Sequence, residues 1–379
     1  MKAKWVFFAV LVAFFVLIVH SASEAVNTRD IDSVRNKPVL DSIDLQIIDD
    51  FLNEAVQELV NTRDFSSIAK TRSTILARNT SKKSSAQAQY TEQFSVSAHK
   101  YISSSFKQAE QLTPEIRRFK MILNLLILID GLEDIRLADL SIGLLKDENT
   151  VIRYWAVHSV TSPGFTKKLN TSIAANSQLA RRIVEQLKGL VERSGPEILS
   201  PVAEFAGEVA IPQGEDLLGQ IADMRMKKYV GWTVDNELLD GAILRLLYQK
   251  ISSGAVNKTA VARRFGQLYS YVIQRYVKGR VYLNPARKHQ LASVLVETEK
   301  SCIAKLLAIP QTVIKRAVER DDHTRLLLEH SRLLGDQTRP GQLPEKLNFD
   351  YGKNPNGSFR TSPFLLPEPP KKSMPDPNN

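Results

Sequence analysis

The densest concentration of residues able to do chemistry in this 379-residue chain is "ARRFGQLYSYVIQRYVKGRVY". Arg263, Arg264, Arg275, Lys278 and Arg280 alternate there with Tyr269, Tyr271, Tyr276 and Tyr282. Cations interleaved with aromatic rings stack on sugars or bases while pairing with anionic groups, which is binding chemistry rather than bond breaking. The residues to weigh for such a polyanion site are Arg263, Arg264, Arg275, Lys278, Arg280, Tyr271 and Tyr276. A competing reading of the same helical spacing buries Phe265, Leu268, Val272 and Tyr276 and leaves the arginines in water, their stems lying on apolar surface.

Metal and nucleophilic chemistry have less to work with. The histidines after His20 are His99, His158, His289, His323 and His330. None of them pairs at the three- or four-residue spacing that presents two ligands on one helix face; His323 and His330 stand two turns apart. H-E-x-x-H, G-x-S-x-G, G-x-x-x-x-G-K-[ST] and G-x-G-x-x-G do not occur. Cys302 is the single cysteine, which excludes a disulfide within the chain. In "EKSCIAKLL" it sits in a helical pattern as a small buried hydrophobe. Asp49-Asp50 and Asp321-Asp322 read as a solvated face and a helix start. No catalytic, metal or cofactor-binding residue is assigned, no cofactor is expected, and the chain reads as non-enzymatic.

The first segment, "MKAKWVFFAVLVAFFVLIVHSASEA", places Lys2 and Lys4 before an apolar run and small residues after it. This is the layout of a secretory signal peptide, with Ser23 and Ala25 suited to cleavage. The run from Trp5 to Val19 is shorter than the ~20 residues of a membrane span. The alternative is an uncleaved inner-membrane anchor, the one way the chain would meet a membrane. The expected location is therefore outside the cytoplasm, periplasmic or secreted. A formal charge of +10 favours anionic partners such as wall glycan or nucleic acid, without choosing among them.

Helical spacing runs through most of the remainder. "DSIDLQIIDDFLNEAVQELV" gathers apolar residues on one face behind an Asp41 cap, and Asp64 is placed to cap the next helix. Tyr90, Phe94, Ala98, Tyr101 and Phe106 form a stripe that reads as core. Thr113 and Pro114 should open a helix whose centre, Met121 to Ile129, is apolar all round and hence covered all round. Strand character is confined to "GRVYLNP".

The stretch "LLKDENTVIRYWAVHSV" (144–160) is a helix end, a polar turn and a helix start. It resembles the central hairpin of a HEAT repeat, with Asp147 at the acidic turn position, Arg153 after an aliphatic pair, and Ala156 at the small position. The resemblance covers residues 132–160 and implies stacked helix pairs. In such a stack the turn carboxylate accepts backbone N–H groups and the small residue permits close approach. Forty-seven residues on, "ILSPVAEFA" keeps the apolar and small positions but not the acidic turn or the Arg. The expected fold is all-α, an irregular HEAT-like helix-pair solenoid with a disordered Pro-rich C-terminal tail. The expected parts are a signal peptide at 1–25, an N-terminal helical region at 26–111, the solenoid at 112–335 and the tail at 336–379. Within the tail, "FLLP" is either a short docking motif or a chance apolar cluster.

Repeat scaffolds expose long binding faces, so a protein or peptide partner is the leading expectation, and an exported binding or scaffold protein the leading function. A basic envelope protein holding an anionic polymer is the second reading, and a helical enzyme without a recognisable motif the third.

Overall fold

The computed structural model describes residues 26–62 and 64–370. The segment read as a signal peptide and residues 371–379 lie outside the described residues. Regular structure is all α-helical; the β-type pairing among the described residues is two isolated bridges, Gly335 with Pro340 and Lys353 with Phe359. The chain divides into two compact units. The first is the described chain up to Leu144 with Asn149–Trp155; the second is Leu145–Glu148 with Ala156 onward.

The first unit is built on α1 (Ser42–Asn61), α2 (Phe65–Leu76), α3 (Gln87–Glu110) and α4 (Glu115–Leu132). At the start of α1 the Asp41 carboxylate accepts the N–H groups of Ile43 and Asp44, both at 2.9 Å, while Asp44 accepts that of Asp41 at 3.2 Å. This reciprocal box satisfies donors that a helix start otherwise leaves unpaired. Asp64 caps α2 through the N–H of Ser67 at 2.8 Å. Ile48, Phe51, Leu52, Ala55 and Val56 share one core with Tyr90, Phe94, Ala98 and Ile102, and α1 packs along α3. The aromatic stripe is therefore core. In α4 no residue from Met121 to Asp130 is exposed, and its one polar interior residue, Asn124, accepts from Arg72 at 2.5 Å. Pro114 stands one position earlier than the sequence places it, at the cap, with Glu115 opening the helix.

The hairpin at 132–160 has short helical turns over Ile135–Ile142 followed by α5 (Thr150–Thr161). Asn149 takes the N–H groups of Val151 and Ile152, at 2.9 and 3.4 Å. This is the capping work that the resemblance gives to Asp147. Arg153 donates to Thr150 at 3.3 Å, and Ala156 is fully buried.

In the second unit α6 (Pro163–Thr171), α7 (Ile173–Lys188), α8 (Pro196–Glu208), α9 (Pro212–Val230), α10 (Leu238–Ser253), α11 (Lys258–Lys278) and α12 (Pro285–Thr298) follow one another. Proline opens α6, α8, α9 and α12, where its missing N–H needs no partner. From α7 onward each helix packs on the next but one: α7 on α9 on α11, and α8 on α10 on α12. Neighbours from α8 to α12 also pack in pairs. This two-layer stacking of helix pairs is that of a generic helical-repeat solenoid.

Beyond α12 a π-helical turn, Glu299–Ile303, precedes α13 (Val313–Glu319), α14 (His323–Leu334) and α15 (Gln342–Leu347). The buried Glu299 carboxylate accepts the N–H groups of Ile314 and Lys315 at 2.7 and 2.9 Å, capping α13 from another element. "GRVYLNP" is no strand; it forms the turn from α11 into α12.

The disorder expected from residue 336 is not found over the described part of the Pro-rich stretch. Residues 336–370 are packed: α15 lies on α11 and α14, and Leu343, Phe349, Tyr351 and Leu366 are buried. Proline limits regular structure in this segment to the short α15 and isolated bridges, but helices already formed supply apolar surface and hydrogen-bond partners for the rest. Two glycines make room for it. A Cβ on Gly266 of α11 would stand 3.0 Å from the Phe349 ring and 3.1 Å from the Tyr351 hydroxyl, and Gly335, at φ +99°, turns the chain where a Cβ would run into Thr361 and Gly341.

Candidate functional site

Helix α11 is the structural centre of the second unit, with every residue from Phe265 to Tyr276 buried. Its length carries the residues singled out by the basic and aromatic pattern except Arg280 and Tyr282, which follow it, and the structure divides them between two sides.

One side is held by charge. Arg275, 0% exposed, donates to Glu237 at 3.2 Å and to the Val234 carbonyl at 3.1 Å. Its guanidinium lies over the rings of Tyr229 and Trp232, at 5.7 and 5.3 Å from their centroids. Next to it, buried Arg225 meets buried Asp240 through two hydrogen bonds, 2.7 and 2.9 Å, and Tyr229 donates to the same carboxylate at 2.7 Å. Burial works against the Arg225 cation, but the Asp240 carboxylate outweighs it and holds the proton more tightly than usual. Burial and Asp240 together push the Tyr229 phenol far up. The expectation that the arginines lie in water therefore fails for Arg275.

The other side is covered by the chain's own C-terminal segment, held by two uncharged amides together with Lys278 and the Trp232 indole. Gln267 reads both backbone groups of Phe364: its oxygen accepts the N–H at 2.8 Å and its nitrogen donates to the carbonyl at 3.1 Å. Gln274, two turns on, accepts the Leu366 N–H at 2.8 Å and donates to the Phe364 carbonyl at 3.1 Å. Lys278 donates to the Leu366 carbonyl at 2.6 Å and to Glu368 at 2.8 Å, and the Trp232 indole donates to the Pro367 carbonyl at 3.2 Å. The segment thus runs extended along α11, in the direction of the helix, with Leu366 inserted at 2% exposure. Phe364 and Leu365 remain 48% and 66% exposed. Beneath the clasp Gln274 also donates to Ser270 at 2.8 Å, and Ser270 meets His330 at 2.8 Å. Burial holds the His330 imidazole at about 4, so it is neutral in this environment.

Two cavities border this strap. One, of about 530 Å³, is lined by Met226 and Val230 of α9, by Ala260 and Tyr271 of α11, and by Phe364, with Arg263 and Arg264 at its margin. The other, of about 540 Å³, lies among Val277, Leu327 and His330, and is bounded by Pro363 and Leu365. The first is mainly apolar with a few polar groups, the usual make-up of a ligand site; the second is lined largely by polar residues, among them Lys278, His330, Asp336, Asn354 and Arg360.

Of the remaining cations of the basic pattern, Arg263 and Arg264 have acidic neighbours of their own. Arg263 pairs with Asp350 at 3.0 Å and Arg264 forks onto Asp223 with two bonds of 2.9 Å. Arg280 is exposed in the turn after α11. Tyr271 and Tyr276 are buried, and Tyr276, pushed up to about 12 by burial and by Asp321, donates to that carboxylate at 3.2 Å. Arg275 is thus separated from Arg263 and Arg264 rather than joined to them in one strip. Cys302 is buried and its thiol is pushed up by burial.

Sequence reasoning missed Gln267, Ser270 and Gln274. Their signal was an uncharged polar stripe on a helix whose other residues are apolar or basic, the side-chain type that bonds a backbone without imposing a charge. His323 bonds Asp321 at 3.1 Å, apart from the Ser270 and His330 pair. Among the described residues no group of three or more His, Cys, Asp or Glu is placed to hold a metal ion, and no helix is long and apolar enough to cross a membrane. Comparison of the chain with protein-family models, with curated proteins and with solved structures finds no match.

Proposed function

We propose that this chain is an exported, non-enzymatic binding or scaffold protein, a divergent HEAT-like solenoid whose partner is a protein or peptide. One observation carries the reading: α11 and its neighbours already hold an extended segment through side chains directed at backbone groups. A helix face that satisfies a foreign-looking, proline-rich backbone is equipped for peptide recognition in a way that a merely packed core face is not. The polar groups at this site are engaged in holding a chain, which supports binding over catalysis. Export rests on the Lys2, Lys4 and apolar pattern at the N-terminus.

The test is affinity capture with the processed full-length chain as bait against envelope extract, washed at low and high salt. A stoichiometric protein partner retained at high salt is the expected outcome. Capture of an anionic polymer that is lost as salt rises would replace this reading with polyanion binding.

A further inference from the structure

The C-terminal segment describes its own site well enough to define what else would fit it. We propose that the α11 face, with Gln267, Gln274, Lys278 and Trp232, is a binding site for extended peptides of the form aliphatic-Pro-acidic, and that residues 361–370 occupy it in place of such a segment on a partner protein. This deepens the binding reading above and rests on it.

Ligand chemistry follows from the contacts. Five successive requirements are met by side chains of the folded unit: the N–H and carbonyl at 364, the N–H and carbonyl at 366, and the carbonyl at 367. All are backbone groups, so the register asks for an extended chain rather than for particular side chains at 364 and 365. Side-chain demands enter at three points. Leu366 is inserted, which asks for an aliphatic residue. Pro367 has only its carbonyl engaged, so proline is accepted there without loss. Glu368 meets Lys278, which asks for an acid. A basic chain selects an acidic segment for the same reason at longer range.

Displaceability follows from the same list. The strap buries Pro363 and Leu366 and leaves Phe364 and Leu365 48% and 66% exposed, so it holds fewer buried apolar side chains than the helices beneath it and opens at lower free energy than the unit unfolds. Its tether gives it a high effective concentration, so an incoming peptide competes against a local occupant and binds the intact chain weakly.

The experiment uses the full-length chain and a fluorescein-labelled synthetic peptide of residues 361–370, TSPFLLPEPP, followed by anisotropy. Leu366→Asp in the chain weakens the internal occupant; the variant should take up the probe saturably, about tenfold or more tighter than the wild-type chain. Adding Gln274→Ala should weaken that uptake about tenfold, since two backbone bonds are removed. A folded Leu366→Asp chain that ignores the probe, or uptake indifferent to Gln274→Ala, overturns the proposal. Hydrogen exchange on the wild-type chain gives an answer independent of that variant's folding. The amides of Phe364 and Leu366 should exchange at least 100-fold faster than those of α11, and a common rate overturns it. Probe failure beside successful capture of a partner removes this site while leaving the binding role; probe uptake without any captured partner does the reverse.

Discussion

The two sides of α11 are both polar and both covered, yet they hold their neighbours by different means. Towards α9 and α10, Arg225, Asp240, Tyr229, Arg275 and Glu237 meet side chain to side chain, charge to charge, in full burial. Towards the C-terminal segment, Gln267 and Gln274 meet backbone with neutral amides. Gln274 and Arg275 are adjacent in sequence and belong to opposite systems. A buried charge tolerates no missing partner, because the remaining ion stays desolvated. An amide bonded to backbone is indifferent to the side chains of the segment it holds. The charged side therefore belongs to the frame, and the amide side suits an occupant that can be exchanged.

The sharpest way to break this contrast is Asp240→Ala. It removes the carboxylate that takes two bonds from Arg225 and one from Tyr229, leaving Arg225 only Asp235 at 3.4 Å and two backbone carbonyls, and stability should fall by about 3–5 kcal/mol, read by urea unfolding of the second unit. A loss below ~1 kcal/mol would mean that the charged side is no frame at all. His330 gives a pH test of the boundary between the systems. Its ordinary value is 6.5 and burial lowers it to about 4. The unfolded chain gains a proton below 6.5 that the folded chain refuses until about 4. Stability present above 6.5 is thus lost as pH falls through this window, by up to ~3 kcal/mol. His330→Gln should flatten that part of a stability-against-pH curve.

Gly335→Ala comes next, at about 1–3 kcal/mol for the strained φ alone. Since Thr361 and Gly341 abut the position, the cost should appear as loosening of residues 336–361, measured by limited proteolysis. The smallest effect is that of Gln274→Ala, about 1–2 kcal/mol, confined to the strap. It should speed amide exchange at Phe364 and Leu366 while leaving the urea midpoint of the helices in place. If the midpoint moves as far as it does for Asp240→Ala, the two sides are one system.

What the sequence disclosed and what it hid follow the same division. Local signals were legible: Asp41 and Asp64 announce their helices, the apolar centre of α4 announces burial on all sides, and the Tyr90 and Phe94 stripe announces core. Each rests on neighbours a few positions away. The hidden features rest on distant partners. Arg275 is buried because Glu237 stands 38 residues earlier, and the Gln274 amide is buried because Phe364 stands 90 residues later. In isolation "YVIQRYVK" can only look amphipathic. The Pro-rich stretch likewise looked unfolded because proline composition reports a poor capacity for long helix or sheet, and says nothing about an existing helix that offers to bond it. "FLLP" was visible as an apolar cluster, a docking motif or a chance one, but the face that receives it, on the same chain, was not.

A helix of seven residues such as α13 is far shorter than the ~12–15 residues at which isolated helices become marginally stable in water. Two of its first N–H groups are bonded by Glu299, a residue held in place only when α12 and its π-helical turn have formed. The stability of α13 is therefore coupled to that of the π-helical turn and of α12 before it: with Glu299 displaced, two N–H groups at the start of α13 lose their acceptor. The same dependence makes α13 an early point of fraying when α12 loosens, so a single glutamate couples the folding of two helices that are separate in sequence.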